Sequence, residues 1–148
     1  MSVCCFTGHR VLTDLDAALL DRVLTNLMRN GCRRFLCGMA KGFDIAAAES
    51  VINLKKSFPE VELVACIPCE GQADRYNSCD RRRYCGVLQN CSQVVVLSEN
   101  YYKGCMHARD RFMVDNSDIV LSYLRQKSGG TYYTVQYAEK KGLKIISL

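Results

Sequence analysis

The sequence predicts a single α/β domain over residues 1–148, Rossmann-like and three-layered. A mainly parallel sheet of about six strands is expected, with helices on both faces. Three observations predict it. Apolar runs of strand length alternate with longer segments of helical periodicity along the whole chain. The apolar runs are apolar throughout, as strands buried on both faces must be. The segments that follow them carry the glycines, tyrosines and isolated charges, which places these residues together beyond the carboxyl edge of the sheet. A length of 148 residues suffices for one domain with its own core.

The elements follow in order. Residues 3–6 read as the first strand, ending in Thr7-Gly8-His9-Arg10. A helix is expected from about residue 14, with Thr13 or Asp14 as N-cap and Leu15, Leu19, Val23 and Leu27 as its apolar face. Asn30-Gly31 closes it. Residues 34–37 form the second strand, and Gly38-Met39-Ala40-Lys41-Gly42 turns into a helix carrying Ile45, Ala48 and Ile52, with Pro59 past its end. Residues 61–67 are the third strand and 68–79 the longest irregular stretch. A helix over 80–90 precedes a fourth strand at 93–97. A helix over 105–116 precedes a fifth at 118–123. The last helix is expected over 131–141, closed by Gly142, and the sixth strand over 143–147. Crossovers between parallel strands are right-handed.

Composition narrows the function. Hydrophobic and charged shares of 49% and 24% are ordinary for a soluble globular protein. No apolar run is long enough to span a bilayer, so no membrane partner is expected. The N-terminus lacks the basic start and long apolar stretch of a signal peptide, so the expected location is the cytoplasm. The ten cysteines then read as reduced thiols, with Cys4, Cys5, Cys37 and Cys66 as small buried hydrophobes. Cys66-Ile67-Pro68-Cys69 is a lone CxxC without a second pair, and no metal site is expected. A net charge of +5 is modest, and Arg81-Arg82-Arg83 is one short cluster on a solvated helix face. That pattern argues against nucleic acid as the partner and favours a phosphorylated small molecule.

The candidate site is built from the loops at the carboxyl edge. Gly129-Gly130-Thr131 leaves backbone N–H groups free for an anion, and Arg109 supplies the matching charge. Thr7 and Gly8 allow close backbone approach, and Arg10 can pair with a phosphate. Gly38, Lys41 and Gly42 complete the floor. The Gly38-to-Gly42 turn is neither a Walker loop nor a dinucleotide fingerprint, since it lacks the endings of both. Asp44 opens the next helix, and Tyr76 is a loop tyrosine able to stack on a base. No Ser/His/Asp or Cys/His arrangement, paired carboxylates or metal-ligand cluster is apparent, and no resident cofactor is expected beyond a nucleotide-derived ligand.

Met106-His107-x-Arg109, then Ser117-Asp118 before a strand, then Gly129-Gly130-Thr131, resembles the SLOG superfamily. That group includes the Lonely Guy phosphoribohydrolases and the DprA-type proteins. Phe6-Thr7-Gly8-His9-Arg10 and Gly38-Met39-Ala40-Lys41-Gly42-Phe43-Asp44 make the chain similar to its YpsA-like branch of small bacterial proteins, over nearly the whole length. The resemblance implies a Rossmann-like fold, a nucleotide or nucleotide-derived ligand, and a homo-oligomer as a partner to consider. Lonely Guy enzymes cleave an N-glycosidic bond with the Arg of Met-His-x-Arg and a Glu of Pro-Gly-Gly-x-Gly-Thr-x-Glu-Glu. Arg109 matches the first, but Val135 and Gln136 stand where the glutamates would be. Asp44, Glu49 or Asp110 could supply a carboxylate in their place only where the geometry permits. The expectation is therefore a cytosolic binding or sensing protein, with nucleotide N-glycosidic hydrolysis as the alternative and DprA-like binding of single-stranded nucleic acid as the second.

Overall fold

The computed structural model of the protein describes residues 2–148. It is a three-layer α/β fold with one six-stranded sheet and five helices. Strands β1 (Ser2–Gly8), β2 (Cys32–Cys37), β3 (Glu62–Ile67), β4 (Gln93–Val96), β5 (Ile119–Tyr123) and β6 (Lys144–Ser147) alternate with the helices. These are α1 (Ala17–Arg29), α2 (Phe43–Leu54), α3 (Ser78–Gln89), α4 (Cys105–Asp115) and α5 (Gly129–Lys140). All pairings are parallel, in the order β4-β3-β2-β1-β5-β6. The chain builds outward from β1 to β4, then returns to the other side of β1 with β5 and β6. The order therefore reverses between β1 and β5, and a crevice opens beyond their carboxyl ends.

Alternate strand residues feed two cores. Cys4, Phe6, Phe35, Cys37, Leu63, Ala65, Leu121 and Tyr123 pack under α1, α2 and α3. Cys5, Leu36, Val64, Cys66 and Val120 pack under α4 and α5. Cysteine serves here as a small apolar residue, and burial pushes the Cys5 and Cys66 thiols up to about 12.

Three expected helix starts shift. α1 is capped by Asp16, which accepts from the Leu19 amide at 3.0 Å, not by Thr13 or Asp14. Those two residues are claimed by Tyr123, whose hydroxyl accepts from both of their amides and donates to Asp14 Oδ1. The fully buried stripe of α1 is Leu20, Leu24, Leu27 and Met28, with Leu15, Leu19 and Val23 half-buried beside it. α3 begins at Ser78 because Asn77 caps it by accepting from the Asp80 amide. α5 begins at Gly129, so both glycines form its first turn and do not merely precede it.

Gly42 caps α2 at φ 88°, and a Cβ there would fall 2.3 Å from the Arg10 carbonyl oxygen. The β1–α1 and β2–α2 loops thus meet backbone to backbone, with the Phe43 amide donating to the His9 carbonyl at 3.1 Å. Gly42→Ala is expected to destabilise the fold by more than about 1 kcal/mol, from the left-handed φ and this contact together. A urea titration of the variant measures it.

Candidate functional site

The crevice between β1 and β5 is a cavity of about 310 Å³. Thr7, Gly8, Arg10, Asp44, Arg109, Gly129, Gly130 and Thr131 line it, so eight of the sequence-derived candidates come together. Gly38, Lys41, Gly42 and Tyr76 do not line it. Gly38 and Gly42 shape the wall from behind, and Lys41 is exposed to solvent. Tyr76 donates to the Met39 carbonyl at 3.3 Å and packs edge-on against Tyr84.

One wall is the start of α5. Its N-cap, Ser128, makes no side-chain capping bond, so the first amides of the helix open onto the cavity. Thr7 and Thr131 flank them. Both are 7% exposed, and neither hydroxyl has a hydrogen-bond partner among the described residues. Hydroxyls that face a cavity without a partner in the protein are free to bond a polar ligand there. Arg10, exposed on the rim, forms no ion pair among the described residues.

The floor is a buried charge cluster. Arg109, 5% exposed, donates from Nε to Asp110 Oδ1 at 2.7 Å and from a terminal nitrogen to the Gly38 carbonyl. Gly38 permits this, since a Cβ there would lie 2.8 Å from the guanidinium. The second Asp110 oxygen lies 3.1 Å from the Thr134 hydroxyl, which also lies 2.8 Å from the Gly130 carbonyl. The cluster is thereby tied to the first turn of α5. Asp44 faces the same guanidinium, and its Oδ2 accepts from the Ala40 amide at 3.3 Å. Burial pushes the Asp44 carboxyl up to about 7; Arg109 opposes that shift and Asp110 adds to it.

The sequence reading did not foresee this pairing. It singled out Arg109 as a free phosphate cation, whereas the guanidinium is engaged by Asp110 and Gly38, and the unpaired cation is Arg10. It saw no paired carboxylates because Asp44 and Asp110 lie on different helices. It also passed over Gln126 and Ser128, which line the cavity from the β5–α5 loop. The rule that gathers loops at the carboxyl edge reaches them when applied to the whole loop. Arg125 locks that loop: its amide donates to His9 Nε2 at 2.7 Å, its side chain pairs with Asp14 at 2.8 Å, and its guanidinium lies 4.2 Å from the Tyr123 ring centroid.

Outside the cavity the other candidates have ordinary partners. Arg83 pairs with Glu49, and Arg81 donates to the Asp74 carbonyl. No group of three or more His, Cys, Asp or Glu side chains among the described residues is placed to hold a metal. No described helix is long and apolar enough to cross a membrane.

Residues 4–145 match the YpsA family model, described as the YspA SLOG family. A UPF0398 protein of Halalkalibacterium halodurans is 27% identical over 137 residues, covering 90% of this chain and 72% of that one. A UPF0398 protein of Bacillus velezensis is 25% identical over 155 residues, covering 95% and 85%. Among solved structures, DNA processing protein A from Streptococcus pneumoniae superposes with a TM-score of 0.72 at 20% identity, covering 99% of this chain. The chain spans 50% of that protein's length. DNA processing protein A from Helicobacter pylori, solved for its single-stranded DNA binding mode, gives 0.74 at 21% identity, covering 99% of this chain and 64% of that one. These two share the fold.

Proposed function

We propose that the chain, which belongs to the YspA SLOG family, is a cytoplasmic protein that binds a phosphorylated, nucleotide-derived ligand in the β1–β5 crevice, in a sensing or regulatory role. The observation that carries this reading is the pair of threonines, Thr7 and Thr131, whose hydroxyls have no partner among the described residues and which line the cavity beside the uncapped start of α5. Hydroxyl and amide donors lining one cavity at the positive end of a helix suit a phosphate. Arg10 adds a positive charge at the rim.

Gly130→Asp tests it. A Cβ at Gly130 meets nothing within 4 Å, so the fold tolerates the change, while the new carboxylate occupies and repels the anion position. The wild-type melting temperature is expected to rise with nucleotides at concentrations well above their Kd, as for stabilisation of about 2.7 kcal/mol at a hundredfold excess. The variant is expected to keep its own melting temperature and lose that rise. A variant that responds to the same nucleotide as the wild type places the site elsewhere.

A second reading, hydrolysis of a nucleotide N-glycosidic bond, is favoured by one observation: a carboxyl that lines the cavity and holds its proton to about pH 7, Asp44, beside Arg109. That is the character of a general acid for a departing base. Chromatography of the same incubations separates the two. Free base accumulating with wild type and not with Asp44→Asn supports hydrolysis; stabilisation without turnover supports binding alone. An oligonucleotide arm, read for salt-sensitive retention, tests the relation to DNA processing protein A.

A further inference from the structure

We propose that the imidazole of His107 is the stacking surface for the nucleobase of the ligand, so that the site selects a nucleotide over a bare sugar phosphate. This inference rests on the phosphate position proposed above. His107 stands in the first turn of α4 and lines the same cavity as Gly129, Gly130 and Thr131. Its ring is stacked on Tyr133, with centroids 4.1 Å apart and planes inclined by 12°. The residue is nevertheless exposed, so with one face covered by Tyr133 its accessible surface lies on the remaining face and edge.

The platform is braced before any ligand arrives. Arg111 donates to the Tyr133 hydroxyl at 2.8 Å. Tyr133 lies against Tyr137 at 6.4 Å and 14°, and the Tyr137 hydroxyl donates to Asp115 at 2.8 Å. The tilt of the imidazole is thus set by a row of three near-parallel rings running along α4 and α5. Rings held in place lose little freedom when a base settles on them. The nitrogens of His107 have no hydrogen-bond partner among the described residues, and α4 is capped by Gly104, so the histidine is not consumed in capping the helix. A cavity of about 310 Å³ that is lined both by the phosphate position and by a flat, braced ring is of the size that takes a small ligand such as a nucleotide.

Calorimetric titration with nucleoside monophosphates and with ribose phosphate tests the inference on wild type, His107→Ala and His107→Phe. Wild type is expected to bind the best nucleotide more tightly than ribose phosphate. His107→Ala is expected to lose about tenfold of the nucleotide affinity, the size of a lost base–aromatic stack, and to leave ribose phosphate unchanged. His107→Phe, flat and uncharged, is expected to restore nucleotide binding. If His107→Ala weakens both compounds equally, or neither, the stacking role is overturned while the phosphate position stands. If wild type binds none of the compounds, the phosphate position falls, and the stacking inference with it.

Discussion

Replacing Arg109 by alanine is expected to cost about 3–5 kcal/mol of stability, the range for removing one partner of a buried ion pair. The guanidinium is 5% exposed and faces two carboxyl groups, Asp110 at 2.7 Å and Asp44, while also donating to the Gly38 carbonyl. Among the described residues its loss leaves Asp110 with only the Thr134 hydroxyl and the Gly38 carbonyl with only the Gln72 side-chain amide at 3.0 Å, and it opens a void against Gly38. Such a loss is a large part of the roughly 5–15 kcal/mol that a domain has. Arg109→Lys is expected to fall between, because an ammonium cannot reproduce the planar fork that reaches a carboxylate and a carbonyl together. Urea unfolding of the three proteins at one pH measures this, and Asp44→Asn in the Arg109→Ala background is expected to recover part of the loss. A cost below about 1 kcal/mol for Arg109→Ala would mean that water, not the guanidinium, solvates these carboxyls. Arg109→Ala is for the same reason a poor probe of ligand binding, and Gly130→Asp is the better one.

Which parts of this could be read from the sequence follows from the range of the interactions involved. The strands were legible because each carries a short run of consecutive apolar residues, and the order of loops along the chain determines which of them share the carboxyl edge. The two glycines before Thr131 were legible as an anion turn for the same local reason. Helix starts were less so. Thr13 and Asp14 are good caps by type, but Tyr123, more than a hundred residues away, engages their amides, and the cap passes to Asp16. The charge cluster was the least legible. Arg109 and Asp110 are consecutive in α4, but Asp44 joins them only when the fold brings the start of α2 to the same floor, and nothing in its local sequence announces that. His107 stands two residues from Arg109 on a helix, a spacing that puts them on different faces, yet both line the cavity, Arg109 at the floor and His107 at the rim. A cavity that wraps around the end of a helix can be reached from more than one of its faces.

Asp44→Asn is expected to remove the part of the wild type's expected pH dependence between about pH 4 and pH 7 that comes from this carboxyl. The Asp44 carboxyl holds its proton to about 7 in the folded protein, against 3.8 for the unconstrained side chain. Between those values the native state binds a proton that the unfolded chain has released, so stability falls as pH rises across the window. The contribution is fully present below the unfolded value and is lost as pH passes the folded one. Burial is the chief cause, so the charged form is the costly one even with Arg109 beside it. Asparagine keeps the acceptor for the Ala40 amide and carries no charge at any pH. The two proteins are therefore expected to have nearly equal stability at about pH 4, while at about pH 8 the variant is the more stable by on the order of 3 kcal/mol. Denaturant titrations of both across this range give the difference directly, and groups that titrate alike in the two cancel. A variant less stable than wild type at the alkaline end would reverse the balance assigned here, with attraction to Arg109 outweighing burial and Asp44 ionised throughout. In that case Asp44 would be an anchor for Arg109 and not a proton donor, and the hydrolytic reading would lose the one observation that favours it.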